Sequence, residues 1–240
     1  IGRNPTTDYG LNNVQIHGPC VWNFTWTMAE DADLVKKLML ILPYIKESEM
    51  AVLFPEFVNS KGRIDWDMKV LGVSVDNDLP TAGMIADIVC FVRALAEHPE
   101  AKRILGFANR VKYNKLIEAN IPWIANKVLG NSLNEKTIKQ LYVTTLRDGQ
   151  YNKLTQNDTV AIKKAKGHDR YLVNSCRALD RGYDDKSKEK HHAIIEWTHT
   201  NVRQSAQRIM RVIRTDQADD KFAYDICPQR LNDLDGDLNW

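Results

Sequence analysis

Residues 184–214, DDKSKEKHHAIIEWTHTNVRQSAQRIMRVIR, run for 31 positions without a proline or glycine. Acids open the stretch and arginines close it, the order that complements a helix dipole. At about 100° per residue, Val202, Ala206, Ile209, Met210 and Ile213 fall on one apolar arc, while Arg203, Arg208, Arg211 and Arg214 fill much of the remainder. The pattern predicts one long helix with a packing face and a cationic face.

That cationic face belongs to a larger segregation of charge. The 240-residue chain has a formal net charge of only +2. Residues 1–100 nevertheless carry 8 Lys+Arg against 14 Asp+Glu, residues 101–214 carry 23 against 10, and residues 215–240 carry 2 against 7. A basic block between acidic ends suits a surface that meets a polyanion, although a solvated lysine-rich exterior gives the same count. With 43% hydrophobic residues the chain can bury a real core. Cys20, Cys90, Cys176 and Cys227 form no CxxC pair, which predicts reduced thiols and a cytoplasmic (or virion) setting. No apolar run approaches the ~18 residues of a membrane span, so no membrane partner is expected. The first residue is Ile, read as a processed or trimmed start.

Residues 1–27 read as an extended arm, 28–120 as an acidic N-terminal helical lobe, 121–214 as a basic C-terminal helical lobe and 215–240 as an acidic segment. Thr27 with Glu30 suggests a capping box for a helix bearing Leu34, Val35, Leu38 and Ile41, ending at Pro43. A shorter helix is expected from about Tyr44 to Phe54, stopped by Pro55, with a turn over 59–62. Trp66, Met68, Val70, Val73 and Val75 alternate well enough for one small β-hairpin. From Thr81 onward the pattern is helical: Thr81 caps a helix to about Glu97, another follows Pro99, and Pro122 marks the boundary between lobes. Ser132 with Glu135 opens a helix to Arg147, one runs from about Asp158 to Gly167, and one from His168 to Arg181. The expected fold class is mainly α, a two-lobed helical domain with a short extended N-terminal arm.

Within the basic block, Lys163, Lys164, Lys166, His168 and Arg170 straddle Gly167 between two expected helices, and Arg177 and Arg181 follow at i, i+4. A loop and helix start of this kind offers a phosphate both cations and backbone amides. Lys112 and the arginines 203, 208, 211 and 214 extend the cluster, and Tyr171 could stack on an unpaired base. His192, Glu196 and His199 would share a stripe of about 60° on the long helix. Glu-x-x-His is used by di-iron bundles, but no second helix carries such a motif, and Arg203 on the same stripe favours a solvated polar face. No metal, cofactor or catalytic residue is therefore expected. Residues 233–239 space oxygens like the start of a calcium loop, yet the glycine comes early and an acidic tail is the better reading. The sequence holds no GxSxG and no GK[ST].

Together these features predict a protein without catalysis that binds single-stranded RNA or DNA through its backbone and assembles with copies of itself, as a viral coat or nucleocapsid protein does. The likeness to helical nucleoproteins that coat viral RNA is one of architecture and charge alone. Two alternatives stand beside it: a metal-dependent enzyme on a helical bundle using His192, Glu196 and His199, and a helical interaction module with a basic face.

Overall fold

The computed structural model describes residues 26–131, 136, 138–147, 154–176, 178–179, 190–198, 202–215 and 221–232. Residues 1–25 of the extended arm, the Ser132/Glu135 cap, Arg177, Arg181, His199 and residues 233–240 of the acidic tail lie outside the described residues.

Short apolar runs set the architecture. KLMLI, RILGF, LYVTT, RYLVNS, AIIE and FAYDI become β1 (Lys37–Ile41), β3 (Arg103–Phe107), β4 (Leu141–Thr145), β5 (Arg170–Ser175), β6 (Ala193–Glu196) and β7 (Phe222–Ile226). They form one parallel six-stranded sheet in the order β1-β7-β6-β3-β5-β4. Two further strands, β2 (Tyr44–Lys46) and β8 (Gln229–Leu231), pair in parallel as a small separate sheet. The helices are α1 (Trp26–Asp31), α2 (Glu47–Leu53), α3 (Ala82–Glu97), α4 (Val111–Val128), α5 (Gln156–Ala165) and α6 (Val202–Ile209).

Side chains alternate between the two faces of the sheet. Ile104, Leu172, Ala193, Ile195 and Tyr224 pack with α3 and α4, whereas Leu105, Phe107, Tyr171, Val173, Ile194 and Ala223 pack with Ile162 and Ala165 of α5 and with Val212 and Ile213. The faces follow from direction of travel. A crossover of fixed hand places its helix on one face when the chain moves one way along the sheet and on the other face when it returns. The chain moves one way from β1 to β3 and from β3 to β4, carrying α3 and α4; it moves the other way from β4 to β5 and from β6 to β7, carrying α5 and α6.

The expected mainly α fold is overturned by the six parallel strands. Strands buried on both faces lose the polar alternation that marks a strand, and their apolar runs then resemble segments of buried helix. Residues 184–214 are not one helix: AIIE is the strand β6, and α6 ends at Ile209, leaving Met210 exposed and Val212 and Ile213 buried in the turns that follow. The expected helices through Leu38, through Arg103 to Phe107, over 132–147 and from His168 give way to β1, β3, β4 and β5. Thr27 lies inside α1, and the stretch 66–75 forms one isolated bridge, Val75 to Asp78, instead of a hairpin. Pro122 sits within α4, which continues past it to Val128.

Local cap chemistry did identify some elements. Thr81 accepts a hydrogen bond from Met84 N at 3.1 Å and starts α3, which ends at Glu97 as its apolar pattern requires. The helix expected from about Asp158 to Gly167 is α5, which starts at Gln156 behind a Thr155/Asp158 capping box that sequence reasoning missed. Asn59 Oδ1 accepts from the amides of Lys61 and Arg63, closing the 59–62 turn around Gly62 at φ 74°.

Candidate functional site

Adjacent strands β3 and β6 send the chain in opposite directions, β3 toward α4 and β4, β6 toward α6 and β7. Where strand order reverses in this way, the departing segments separate and leave a crevice outside the carboxyl ends of the strands. A cavity of about 590 Å³ lies there, lined by residues that include Trp66, Asp87, Asn109, Tyr113, Glu196, Trp197, Gln229 and Arg230.

Its floor is fixed by three neighbouring strands. Gly106 on β3 stands between Asn174 of β5 and Ile195 of β6 in register. Trp197 Nε1 donates to Asn174 Oδ1 at 2.9 Å across that glycine, and the indole meets Phe91 edge-on at 5.1 Å. A side chain at position 106 would collide with the Asn174 amide and stand 2.7 Å from the indole nitrogen, so only glycine lets the bridge form.

The walls are polar and largely charge-compensated. Arg230 donates from Nε and Nη2 to Asp87 at 2.9 and 2.8 Å, and its guanidinium lies 5.8 Å from the Trp66 ring centroid. Burial, with Asp87 nearby, pushes the Tyr113 phenol up to about 12 and the Cys90 thiol up to about 12, so both stay protonated and neutral at ordinary pH. Glu196, at the end of β6, accepts from Ser205 Oγ at 3.0 Å and lies 3.5 Å from an Arg208 nitrogen. The Arg208 guanidinium is 1% exposed and sits 4.7 Å over the Phe107 ring. Behind it, Asp225 on β7 is buried with Oδ1 lacking a hydrogen-bond partner; burial and then the nearby Glu196 push its carboxyl up to about 6. At the same edge α4 begins at Val111 behind Arg110, which gives no side-chain cap, and Arg110 and Arg147 are exposed at the ends of β3 and β4. The arrangement offers aromatic faces, amide groups and peripheral cations to a ligand with flat and anionic parts.

The residues expected to bind nucleic acid do not converge on this crevice. Lys163, Lys164, Lys166 and His168 come together at the opposite, amino-terminal edge of the sheet, where α5 hands over to β5. Arg170 is buried and donates to the carbonyls of Leu95 at 3.0 Å and His98 at 3.3 Å, where it closes the end of α3. Tyr171 is likewise internal, its hydroxyl 3.3 Å from His191 Nδ1. Lys112 pairs with Asp78 at 3.2 Å, Arg203 lies on α6, and Arg211 and Arg214 are half-buried in the turns after it.

The metal stripe is also dispersed. His192 precedes β6 at the amino edge, its Nε2 3.0 Å from Glu100 O and 3.2 Å from Lys102 N, while Glu196 ends the strand. Four residues of strand separate them by about 13 Å, too far for one ion, and no group of three His, Cys, Asp or Glu among the described residues could hold a metal. Asn109, Asn174, Trp197, Asp87 and Arg230 were missed by sequence reasoning. The available signal was a polar residue closing each apolar run, as in LGFAN, LVNS and IIEW, because ligand groups of open α/β sheets gather at the carboxyl ends of strands.

No protein-family model and no curated protein matches the sequence. Among solved structures, the chain is similar to the ATP-dependent Type ISP restriction-modification enzyme LlaBIII bound to DNA, with a TM-score of 0.63 and 13% identity, covering 92% of this chain and 14% of that one. Looser likenesses, which carry no weight here, are to the C-terminal part of the Fun30 ATPase domain (TM-score 0.39, 11% identity, 67% of this chain and 44% of that one) and to the Sulfolobus solfataricus SWI2/SNF2 ATPase C-terminal domain (TM-score 0.33, 11% identity, 82% and 80%). The first likeness establishes the fold, and the chain spans about a seventh of that enzyme's length. A parallel α/β sheet shared with an ATP-dependent enzyme overturns the expectation of a helical coat or nucleocapsid protein. Both helical alternatives lose their premise in the parallel sheet, and no bundle helix carries His192 or Glu196.

Proposed function

We propose that this chain is one lobe of a nucleic-acid-associated ATPase, and that it takes DNA along the carboxyl edge of its sheet. One observation carries the reading: the crevice of about 590 Å³ lies at the reversal of strand order in a fold shared, over 92% of the chain, with an ATP-dependent enzyme bound to DNA. Asn109, Gln229 and Asn232 offer amide groups to phosphate and sugar oxygens, and Arg110 and Arg147 lend positive charge at the rim. Contacts of that type position a duplex without reading its sequence. The GK[ST] cradle that holds ATP phosphates in P-loop enzymes does not occur in this sequence. Nucleotide would therefore be held mainly by a second domain, with this lobe closing over it.

Carboxylates placed in the crevice should repel DNA. The double variant Asn109→Glu, Asn232→Glu is expected to weaken binding of a labelled DNA duplex at least tenfold in fluorescence anisotropy, with an unchanged far-ultraviolet dichroism spectrum. Equal affinity of variant and parent across several salt concentrations would refute the crevice as the DNA contact.

A further inference from the structure

Because all six strands of the main sheet are parallel, every segment that enters a strand arrives at one edge. Lys37, Lys102, Lys139, Lys166, Lys190 and Lys221 each lie within four residues of a strand's start, so the amino edge collects a row of cations drawn from distant parts of the sequence. Between the starts of β3 and β5 this edge is hollowed into a cavity of about 350 Å³ lined by Lys102, Arg103, Lys166, Gly167, His168, Asp169 and Tyr171. Asp169 is the acidic group among them. Beside the cavity the exposed His168 ring lies parallel to Tyr142, 6° apart in plane and 4.2 Å between centroids, and Lys164 Nζ is 5.6 Å from the Tyr142 centroid.

We propose that this amino-edge cleft is a second nucleic-acid contact, separate from the crevice, that takes one unpaired nucleotide: phosphate on Lys102 and Lys166, base on the outer face of the His168–Tyr142 stack. A cation row alone would attract any polyanion. The parallel aromatic pair at its centre adds a flat surface that a base can extend, and stacking beside cations is how unpaired strands are held without sequence preference. His168 is exposed and its ring is already oriented by Tyr142, so little ordering is needed when a base arrives. The inference rests on the proposed nucleic-acid role, and it can fail independently of it because the two contacts lie on opposite edges of the sheet.

Three probes separate the outcomes: single-stranded oligothymidine, a blunt DNA duplex and inorganic polyphosphate, each titrated against the whole chain. Lys102→Ala with Lys166→Ala should weaken oligothymidine and polyphosphate alike and reduce the salt slope by about one unit per lost phosphate contact. His168→Ala, at an exposed position that leaves the core intact, should weaken oligothymidine about tenfold and polyphosphate little; Tyr142→Leu should act in the same direction. Duplex binding should survive all of these and weaken only in Asn109→Glu, Asn232→Glu. If oligothymidine affinity is unchanged in both the lysine and the histidine variants, or if His168→Ala lowers oligothymidine and polyphosphate equally, the amino-edge site is refuted while the crevice stands.

Discussion

Asp225 shows what one buried side chain costs this fold. Its carboxyl ordinarily titrates near 3.8 and is pushed up to about 6, chiefly by burial, so the folded chain holds this proton more tightly than the unfolded chain does. Stability from this group is therefore greatest below about pH 4 and declines as pH rises through 6, by roughly 3 kcal/mol in all for a shift of about two pH units. Asp225→Asn should raise the urea midpoint at pH 7.5 and leave it nearly unchanged at pH 4; a midpoint that falls at both values would show that the charge is needed. Gly106→Ala tests the floor of the crevice. The added methyl must displace Asn174 or the indole of Trp197, an overpacking cost of about 1–3 kcal/mol. Trp197 emission should shift, and an unaltered midpoint and spectrum would mean that Asn174 turns aside freely. Neither residue was legible in the sequence. Asp225 in FAYDI looks like the polar phase of a strand, and Gly106 in RILGF looks like a weak point, until the neighbouring strands supply Glu196, Asn174 and Trp197.

At the scale of elements, what could be read ahead was whatever depends on a few neighbouring residues. Thr81 capping α3 and the turn at Gly62 are local events, and both were legible. The strands were not, because RYLVNS has the same apolar density as a buried helix turn, and only the sheet on both sides of it explains that density. The helix α4 shows the same limit. Pro122 argued for a boundary, but Asn120 ties the surrounding turns together: its Nδ2 donates to Leu116 O at 2.8 Å and Val73 O at 2.9 Å, and its Oδ1 accepts from Val73 N at 2.7 Å. Gly72 lies beside it at φ 120°, a conformation that favours glycine, and a Cβ there would stand 2.6 Å from Pro80 Cγ and 2.8 Å from Asn120 Oδ1. Asn120→Ala should cost about 1–2 kcal/mol, since Val73 can recover part of the loss from water. Hydrogen exchange should accelerate at the Val73 amide while the rest of α4 changes little; uniform acceleration along α4 would instead show that Asn120 holds the helix itself.

For the whole molecule, the charge segregation along the sequence is laid out by the sheet and not by a helical face. The basic block spans β3 to α6, and the parallel topology deals its cations to opposite edges, with Lys102, Lys166 and His168 at the amino edge and Arg110 and Arg147 at the carboxyl edge. Arg170 and Arg208 are consumed in the interior. No GK[ST] occurs in the sequence, and the turn from β3 into α4 carries Asn109 and Arg110 where a glycine-rich loop would let backbone amides surround a phosphate. On the proposed reading this lobe holds nucleic acid and faces a nucleotide that a second domain binds. Phosphate release from ATP by the purified chain should stay at the buffer rate with or without duplex DNA, while the same preparation binds the duplex in anisotropy. DNA-stimulated hydrolysis by this chain, abolished in Asn109→Glu, Asn232→Glu so that no contaminating enzyme accounts for it, would overturn the one-lobe reading and require a complete nucleotide site within these 240 residues.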